Sequence, residues 1–366
     1  MNIERVIISG GGTGGHIFPA LSIAGEIRRR NPDSEILFVG ALGRMEMEKI
    51  PAAGYKIIGL PVSGLPRKPG VKMIKFTVQL LKSYKLAQKI INRFNPQVVV
   101  GVGGFASGPL LRAAARKGIP YLIQEQNSYA GITNKLLEKK AGAICVAFEK
   151  MERYFPADKI VFTGNPVREN LYNLSDDKSE AVEYFGQEGG RKVIVIIGGS
   201  QGARSINEAV IRSLNKIAAS GAEVIWQTGS IYFEEMQLRV KDIKPANLHL
   251  YKFISRMDLA YIIADVVISR AGAGTIAELC MAGKPAVLVP SPNVAEDHQT
   301  KNAFALADKG AAIMIPDKDI DVKLFGETLR LLDDKDECDR LSEEIKKLAK
   351  PFATKHIVDE TEKLLG

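Results

Sequence analysis

A glycine-rich stretch near the start of the chain, ISGGGTGGHIFPA at residues 8–20, combines residue types that can do chemistry. Gly10, Gly12 and Gly15 follow the pattern G-x-G-x-x-G between a strand-like run and a helical one. Free N–H groups at the start of such a helix attract phosphate or developing negative charge. His16 comes next, where the helix dipole keeps an imidazole neutral, as a general base requires. The stretch predicts a substrate loop with His16 as candidate general base, although ordinary histidines also occur at helix starts.

A dinucleotide cofactor is the first alternative for this loop. In domains that bind nicotinamide dinucleotides, an acid at the end of the second strand holds the ribose hydroxyls. The second strand here ends Phe38-Val39-Gly40-Ala41, without an acid. The missing acid argues against such a cofactor, and a plain tight turn between strand and helix remains the structural alternative.

Three more glycine turns follow predicted strands, at residues 101–109, 198–204 and 269–279. Any one of them can be explained as a tight turn. Four such turns at the carboxyl ends of strands would meet where open α/β sheets bind ligands. The set predicts two ligand-binding sheets facing each other, with a nucleotide in one and a second substrate in the other.

Three residues near these turns have a functional and a structural interpretation. Glu278 lies one turn into a helix, where its carboxylate either accepts from both hydroxyls of a ribose or simply complements the helix dipole. Arg168 in GNPVR faces either a diphosphate or solvent. His298, at another helix start, competes with His16 for the role of base.

Length and composition are those of a soluble protein with two domains. The chain has 366 residues, 46% of them hydrophobic and 25% charged, which fits two domains of about 150–200 residues. No apolar run approaches the roughly 18 residues of a membrane-spanning helix, and we expect no signal segment. Cys145, Cys280 and Cys338 are far apart and are expected to be reduced thiols of a cytosolic protein.

The charge of the chain is concentrated in its first half. The net charge is +8, but residues 1–163 carry 24 basic and 11 acidic residues, whereas the remainder is net negative. A domain with one predominant sign of charge predicts an anionic partner: nucleic acid, acidic lipid or a phosphorylated substrate. Nucleic acid is the weakest of these, because no helix-turn-helix, RNA-recognition or zinc-finger pattern is present.

The segment 66–94 holds eight basic residues and no acidic one. Leu80, Tyr84, Ala87 and Ile91 form one stripe, as on a helix that faces a core. Upstream, apolar and basic residues alternate, which is typical of an interfacial membrane patch on anionic lipid, whereas a helix buried all round is the alternative. The predicted patch comprises Lys72, Met73, Ile74, Lys75, Phe76, Leu80 and Lys82, and changing Met73, Ile74 and Phe76 to Ser should weaken vesicle binding.

Two series of short β-branched runs alternate with helical patterns and predict an α/β fold with two doubly wound, Rossmann-like sheets. The first series lies in a domain at 1–163 and the second in a domain at 176–351, with a polar, Gly- and Pro-containing linker at 164–175 between them. The last segment, 352–366, is predicted to be a helix, and the pattern alone does not show on which domain it packs.

The residue patterns typical of metal sites, hydrolases and kinases are not found in the sequence. Four scattered histidines, with no paired histidine or cysteine motif, predict no metal site. Asp317, Asp319 and Asp321 alternate in a polar connection and are interpreted as solvated. A nucleophile-elbow serine and a phosphate-binding Walker loop are absent, which argues against hydrolases and kinases.

The ordered set of motifs resembles the MurG family of N-acetylglucosamine transferases, which convert lipid I to lipid II in peptidoglycan synthesis. The resemblance runs from about residue 3 to the last helix and rests on GGGTGGHIFPA, GVGGFASGP, QEQNSYAGITNKLL, GNPVR, GGSQGAR, SRAGAGTIAE and DHQTKNA. It implies a GT-B fold, two Rossmann-like domains facing across a cleft, with the last helix crossing back to the first domain. It also implies inverting transfer of GlcNAc from UDP-GlcNAc to the C4 hydroxyl of the MurNAc in lipid I, with no cofactor required.

The resemblance assigns roles to individual positions. Ile254 is implied at the uracil, Glu278 at the ribose, and Ser200 with Arg168 near the diphosphate. Thr275 lies at a helix N-terminus whose N–H groups can stabilise the UDP leaving group. The full set of implied substrate contacts is Thr13, Gly14, Gly15, Asn127, Arg168, Ser200, Ile254, Ala273, Gly274, Thr275, Ile276, Ala277, Glu278 and Gln299.

The resemblance also implies partners and a location. Lipid I is held in the cytoplasmic leaflet, so a peripheral enzyme on the anionic cytoplasmic face of the inner membrane is expected, with other cell-wall synthesis proteins as candidate partners and no nucleic acid. Three positions depart from the family pattern: Phe105, where Tyr is common; Gln124, where His is common; and Thr300, where some members carry Gln. These departures leave the reaction unchanged but assign no role to the three residues.

Two other kinds of function remain open from the sequence. A UDP-GlcNAc epimerase, or a UDP-sugar transferase acting on a lipid such as diacylglycerol, would share the donor site but would not need the motifs at 125–135. A non-catalytic sensor of nucleotide sugars, or a scaffold for cell-wall enzymes, would bind UDP-GlcNAc without turnover.

Overall fold

The structure is a computed structural model that describes residues 2–12, 14–64, 70–187 and 189–366. Every apolar run that was predicted to be a strand is a strand in this structure. One further strand, Ile160–Phe162, was not predicted, because three residues are too few to show a pattern. The strands are β1 (Arg5–Ser9), β2 (Glu35–Ala41), β3 (Lys56–Leu60), β4 (Val98–Gly101), β5 (Tyr121–Glu125), β6 (Ala143–Val146), β7 (Ile160–Phe162), β8 (Val193–Ile197), β9 (Glu223–Gln227), β10 (Leu248–Tyr251), β11 (Val266–Ser269), β12 (Ala286–Leu288) and β13 (Ile313–Met314).

Helices alternate with these strands, as parallel pairing requires. They are α1 (Gly14–Arg30), α2 (Glu46–Ala52), α3 (Val71–Phe94), α4 (Ser107–Lys117), α5 (Ile132–Leu137), α6 (Ser179–Phe185), α7 (Arg204–Arg212), α8 (Leu214–Ala219), α9 (Phe233–Val240), α10 (Met257–Ile263), α11 (Ala273–Ala282), α12 (His298–Ala307), α13 (Ile320–Asp333), α14 (Lys335–Lys347) and α15 (Ala353–Lys363). Among the described residues, none of these helices has both the length and the hydropathy needed to cross a bilayer.

The chain divides into two units. Unit 1 comprises residues 1–168 and 350–366, and unit 2 comprises residues 169–349. The segment expected to be a linker, 164–175, is therefore split between Arg168 and Glu169.

Each unit contains one parallel sheet. The strand order is β3-β2-β1-β4-β5-β6-β7 in unit 1 and β10-β9-β8-β11-β12-β13 in unit 2. Both orders are doubly wound: the strand order reverses between β1 and β4 in the first sheet and between β8 and β11 in the second. The two predicted Rossmann-like sheets are confirmed. All four glycine turns follow the strands at these two switch points, which the sequence alone did not reveal.

The last helix belongs to unit 1. Ile357 and Val358 on α15 are fully buried with Ile17 and Ile23 of α1 in one core cluster. At the polar edge of this contact, Nη1 of Arg30 lies 2.7 Å from Oδ1 of Asp359. Apolar burial and an ion pair thus tie both ends of unit 1 together.

Helix α3 departs from its predicted stripe. Ala87 and Ile91 are buried in the core of unit 1, and Tyr84 packs partly against it. Leu80, which the stripe placed on the core face, is exposed. The stripe fails because the core-facing contact of α3 covers only its second half.

Candidate functional sites

The glycine loop after β1 is hydrogen-bonded to a buried carboxylate. Glu46, at the start of α2, is 0% exposed. Its Oε2 accepts from the Gly12 N–H at 2.8 Å, and its Oε1 accepts from the Ala41 N–H at 2.9 Å. A Cβ at Gly11 would lie 2.1 Å from Oε1 of Glu46, so glycine is required there for the carboxylate to fit. The sequence prediction looked for an acid at the end of β2 and missed this one, five residues further on.

The turn after β4 packs against the same loop. Gly103 and Gly104 both have positive φ, 92° and 88°, which other residues rarely adopt. A Cβ on Gly104 would lie 2.4 Å from the Gly11 carbonyl oxygen, so the two turns are in backbone contact. The hydroxyl of Ser107 fixes them further by donating to the carbonyls of Ser9 and Gly103.

His16 lies where these two turns meet. It is the third residue of α1 and is half-buried. A Cβ on Gly103 would be 2.9 Å from its Nε2, so the imidazole lies against the bare backbone of that glycine. Gly14 and Gly15 are the first residues of the helix, whereas Thr13 lies outside the described residues.

Arg168 is brought to the same helix. Its guanidinium carbon lies 4.7 Å from the ring centroid of Phe18, a residue of the glycine-rich stretch. The structure therefore places Arg168, Gly14, Gly15 and His16 around the first turns of α1.

Glu125 organises the loop that carries Asn127. The carboxylate is 2% exposed, and Oε2 accepts from the Gly131 N–H at 2.9 Å and from Nδ2 of Asn134 at 2.8 Å. Oε1 accepts from the Asn127 N–H at 3.1 Å. Burial raises the pKa of the Glu125 carboxyl, and these N–H donors oppose the shift. Oε1 also accepts from Nδ2 of half-buried Asn127 at 3.4 Å, so Glu125 fixes both the backbone and the side chain of Asn127.

Gln124, one of the departures from the family pattern, has a structural role. Its Nε2 donates to Oδ1 of Asn165 at 2.9 Å, and Nδ2 of Asn165 donates to the Gln126 carbonyl at 3.0 Å. Gln126 in turn donates to the Val102 carbonyl at 2.6 Å. This chain of buried amides connects the GNPVR segment to the turn after β4. Phe105, another departure, packs its ring against Gly64.

In unit 2, helix α11 presents one partly open face after β11. It begins after Gly272, has no acid in its first turn, and no side chain caps its N-terminus. Gly274, Thr275, Ala277 and Glu278 are half-buried, whereas Ala273 and Ile276 face the interior. Glu278 lies one turn from Gly274 on the same side of the helix. The predicted donor contacts on this helix are thus divided into an open face and an interior face.

Glu278 is positioned by a buried tyrosine. Tyr261 on α10 donates its phenol hydrogen to Oε2 of Glu278 at 3.0 Å. Nothing in the sequence pattern distinguished Tyr261 from a core aromatic residue.

Ser200 and Ile254 are connected through Gln227. Oε1 of Gln227 accepts from the Ile254 N–H at 2.8 Å, and Nε2 donates to the Gly199 carbonyl at 3.1 Å. Ile254 is only 1% exposed, and its N–H is already bound to Gln227. Ser200 is half-buried, and its carbonyl accepts from the Ser230 N–H at 3.2 Å.

Gln299 lies beside a strained turn. Its Oε1 accepts from the Ser291 N–H at 2.8 Å. Just before α12, Glu296 and Asp297 both have left-handed backbone, with φ of 57° and 51°. Non-glycine residues in this region cost about 1–3 kcal/mol each and are often found at ligand sites. His298, the alternative base, is the first residue of α12.

The solvated interpretation of Asp317 is wrong. Its Oδ1 lies 2.5 Å from Nη1 of Arg270 and accepts from the Ser205 hydroxyl at 2.6 Å. Asp319 and Asp321 pair with Lys323 and Arg212. Asp317 therefore anchors the residue that follows β11. In the described ranges, no group of three or more His, Cys, Asp or Glu side chains is suited to a metal ion, and independence of metal remains a prediction.

Some residues of the predicted membrane patch are exposed on α3 and others are half-buried, and the patch itself remains a prediction. Ile74 and Leu81 are 68% and 57% exposed, and Val78 between them is exposed as well. These residues recur at the spacing of one helical face. Met73 and Phe76 are half-buried, Lys75 and Lys82 are exposed, and the side chain of Lys72 is not described. The apolar stripe of α3 is therefore Ile74, Val78 and Leu81, with lysines beside it.

Family comparisons match both units. The model of the glycosyltransferase family 28 N-terminal domain matches residues 6–146, and that of the C-terminal domain matches residues 193–359. A transferase of Parabacteroides distasonis named UDP-N-acetylglucosamine–N-acetylmuramyl-(pentapeptide) pyrophosphoryl-undecaprenol N-acetylglucosamine transferase is 56% identical, with 100% of this chain and 99% of the relative covered. A transferase of the same name from Porphyromonas gingivalis is 52% identical, with 99% of this chain and 96% of the relative covered.

A solved structure agrees with these sequence relatives. The crystal structure of Acinetobacter baumannii MurG has a TM-score of 0.75 and 30% identity, with 98% of this chain and 99% of that chain covered. Together with the two parallel sheets, these similarities confirm the fold class and the resemblance drawn from the motifs. The chain belongs to glycosyltransferase family 28 and, within it, to the MurG family of N-acetylglucosamine transferases.

Proposed function

We propose that this chain transfers GlcNAc from UDP-GlcNAc to the C4 hydroxyl of the MurNAc in lipid I, forming lipid II with inversion at the anomeric carbon. The observation that carries the proposal is the full-length similarity to transferases named for this reaction. The oxygen of the C4 hydroxyl forms a bond to the anomeric carbon while the bond from that carbon to the β-phosphate oxygen breaks. UDP leaves, and the hydroxyl proton passes to a base.

Unit 2 is proposed as the donor side. The N-terminus of α11, which has no acid in its first turn, directs a positive dipole end at the charge that develops on UDP. Glu278 accepts from the ribose hydroxyls, and Thr275 lies at the diphosphate end of the same open face. Ser200, Ile254 and Gln299 complete the contacts, with Ile254 beside the uracil.

Unit 1 is proposed as the acceptor side. The backbone of Gly14 and Gly15 allows close approach of a sugar or a diphosphate, and the positive end of the α1 dipole favours its charge. His16 takes the proton of the C4 hydroxyl, and Asn127 contacts the substrate from its loop. Arg168, stacked on Phe18, supplies a fixed positive charge for a phosphate.

The membrane surface is proposed as the third partner. Ile74, Val78 and Leu81 would insert into the headgroup region, while Lys75 and Lys82 attract anionic lipid. Helix α3 has no acidic residue that would repel such a surface. The chain is therefore expected as a peripheral protein on the cytoplasmic face of the inner membrane, where lipid I is held.

The test is release of UDP with and without acceptor. The full chain is incubated with UDP-GlcNAc and a short-chain lipid I analogue in buffer containing EDTA, and UDP and lipid II are both quantified. UDP that appears only with acceptor, in equal amount to lipid II, is expected. UDP without acceptor would indicate hydrolysis or epimerase-like chemistry, and no UDP at all would favour a sensor or a scaffold.

A further inference from the structure

The carboxylate of Glu46 has no part in the proposed chemistry, yet it is the most completely enclosed acid beside the glycine loop. It is fully buried, and each of its oxygens accepts from one backbone N–H. Burying a carboxylate costs free energy unless hydrogen bonds compensate for the lost water. The two N–H donors come from different segments, Gly12 in the loop and Ala41 at the end of β2.

Two glycines make room for this carboxylate. A Cβ at Gly11 would lie 2.1 Å from Oε1 of Glu46, and a Cβ at Gly40 would lie 2.6 Å from Cγ. Gly12 has φ of 90°, so its N–H is turned toward the carboxylate by a conformation that favours glycine. The glycines of the loop therefore fit an internal partner as well as an external one.

In a nucleotide-binding domain, N–H groups of this loop would point at a phosphate. Here the N–H of Gly12 is already bound to a negative group of the protein itself. A second anion at that N–H would be repelled by the buried charge. A ligand anion is expected instead at the start of α1, at Gly14 and Gly15 beside His16, where the positive end of the helix dipole favours negative charge.

We propose that Glu46 is a positioning residue of the acceptor site: its carboxylate takes the place of a bound anion under the loop and holds Gly11 and Gly12 in the conformation that carries Gly14, Gly15 and His16. Glu46 touches no reacting atom and acts through the loop. The inference rests on the proposed function of unit 1 as the acceptor side.

The test is Glu46→Gln in the full chain. The amide has the same shape, but its NH2 group faces one of the two N–H donors, so one hydrogen bond to a charged acceptor is lost and one repulsive contact is introduced. We expect kcat/KM for the lipid I analogue to fall about tenfold to a hundredfold, while the Kd for UDP-GlcNAc stays within about twofold. Glu48→Gln, an exposed acid on the same helix, is the matched control and should behave as wild type.

A purely structural role would lower the melting temperature and affect donor and acceptor alike, which would overturn the inference. Wild-type acceptor kinetics in Glu46→Gln would also overturn it. If Glu46→Gln fails to fold, Glu46→Asp is the second variant, because it keeps the charge but reaches only one N–H. The inference then requires that Glu46→Asp lowers kcat/KM for the acceptor and leaves the Kd for UDP-GlcNAc unchanged. A wild-type chain that releases no UDP with acceptor would instead refute the proposed function.

Discussion

The phenol of Tyr261 donates to Oε2 of Glu278 across 3.0 Å, and Tyr261 is fully buried on α10. A buried tyrosine hydroxyl needs a partner, and here the partner is the carboxylate proposed to bind the ribose. The bond fixes one oxygen of Glu278 and so sets the direction of the other. The strength of nucleotide binding should therefore depend on a residue that touches no nucleotide.

Tyr261→Phe removes this hydrogen bond and keeps the ring. A hydrogen bond contributes about 0.5–1.5 kcal/mol, so the Kd for UDP should rise about twofold to tenfold. The Kd for 2′-deoxy-UDP should rise less, because that nucleotide lacks one of the hydroxyls that Glu278 accepts from. Isothermal titration calorimetry with both nucleotides measures the two effects.

Tyr121→Phe is the matched control for that variant. Tyr121 is also buried and also donates its phenol hydrogen, to the Leu137 carbonyl at 2.6 Å, but it belongs to unit 1. Tyr121→Phe should leave the affinities for UDP and 2′-deoxy-UDP unchanged. An equal loss for UDP and 2′-deoxy-UDP in Tyr261→Phe would mean that the tyrosine only supports packing.

His16→Ala removes the proposed base. Turnover should fall about 10²–10⁴-fold, the range for loss of general base catalysis, while the Kd for UDP-GlcNAc stays unchanged. Steady-state kinetics with the lipid I analogue and a separate donor titration measure the two quantities. His298→Ala tests the alternative histidine: if that variant loses turnover and His16→Ala does not, the base is His298.

Changing Ile74, Val78 and Leu81 together to Ser should weaken binding to anionic vesicles. Each side chain would lose apolar area buried in the lipid interface, and the combined loss should exceed about tenfold in affinity. Co-sedimentation with phosphatidylglycerol vesicles, compared with phosphatidylcholine alone, measures it.

The control for the patch is a variant with Leu238 and Val322, exposed apolar residues of unit 2, changed to Ser. It should bind vesicles as wild type does, and added NaCl should weaken binding of both wild type and control. Unchanged vesicle binding in the α3 variant would exclude α3 as the membrane contact.

Glu26 on α1 should make unit 1 sensitive to acid. Its carboxylate accepts from Arg29 and Arg30, and the hydrogen bond from Arg29 is the largest of the effects that lower the pKa of this group. The folded pKa lies below the unfolded one, so the stabilisation is present above about pH 5 and is lost as the pH falls.

Glu26→Gln should therefore lower the melting temperature near neutral pH and show a smaller further drop toward about pH 4 than wild type. Differential scanning calorimetry over that range measures both. Glu35→Gln, whose side chain is largely exposed and lies 3.7 Å from Arg5, is the matched control. Identical pH dependence in Glu26→Gln and wild type would contradict the assignment.

The sheets could be predicted because buried parallel strands form continuous runs of Val, Ile and Leu, which are visible in one sequence. Ile160–Phe162 could not, because its pairing with β6 depends on the neighbouring strand more than on its own three residues. The first half of α3 shows the same limit. Its apolar residues have helical spacing, but Ile74, Val78 and Leu81 are exposed, because burial depends on the elements that pack against a helix and not on spacing alone.

The sequence pointed to those candidate residues that are themselves part of a motif, such as the glycine turns and Glu278. Residues that support those groups were missed. Glu46, Tyr261 and Gln227 act through hydrogen bonds to segments far away in the sequence, and no local pattern marks such partners. The burial of Glu46 became visible only in the structure.

Helix α15 contributes Ile357 and Val358 to the core of unit 1, although it is synthesised after all of unit 2. During translation, unit 2 is available as one continuous segment, whereas the core of unit 1 stays incomplete until residues 350–366 have left the ribosome. A fusion or truncation near residue 366 would thus disturb the folding of the unit that begins the chain, rather than that of its sequence neighbour. Folding of unit 1 therefore waits for helix α15.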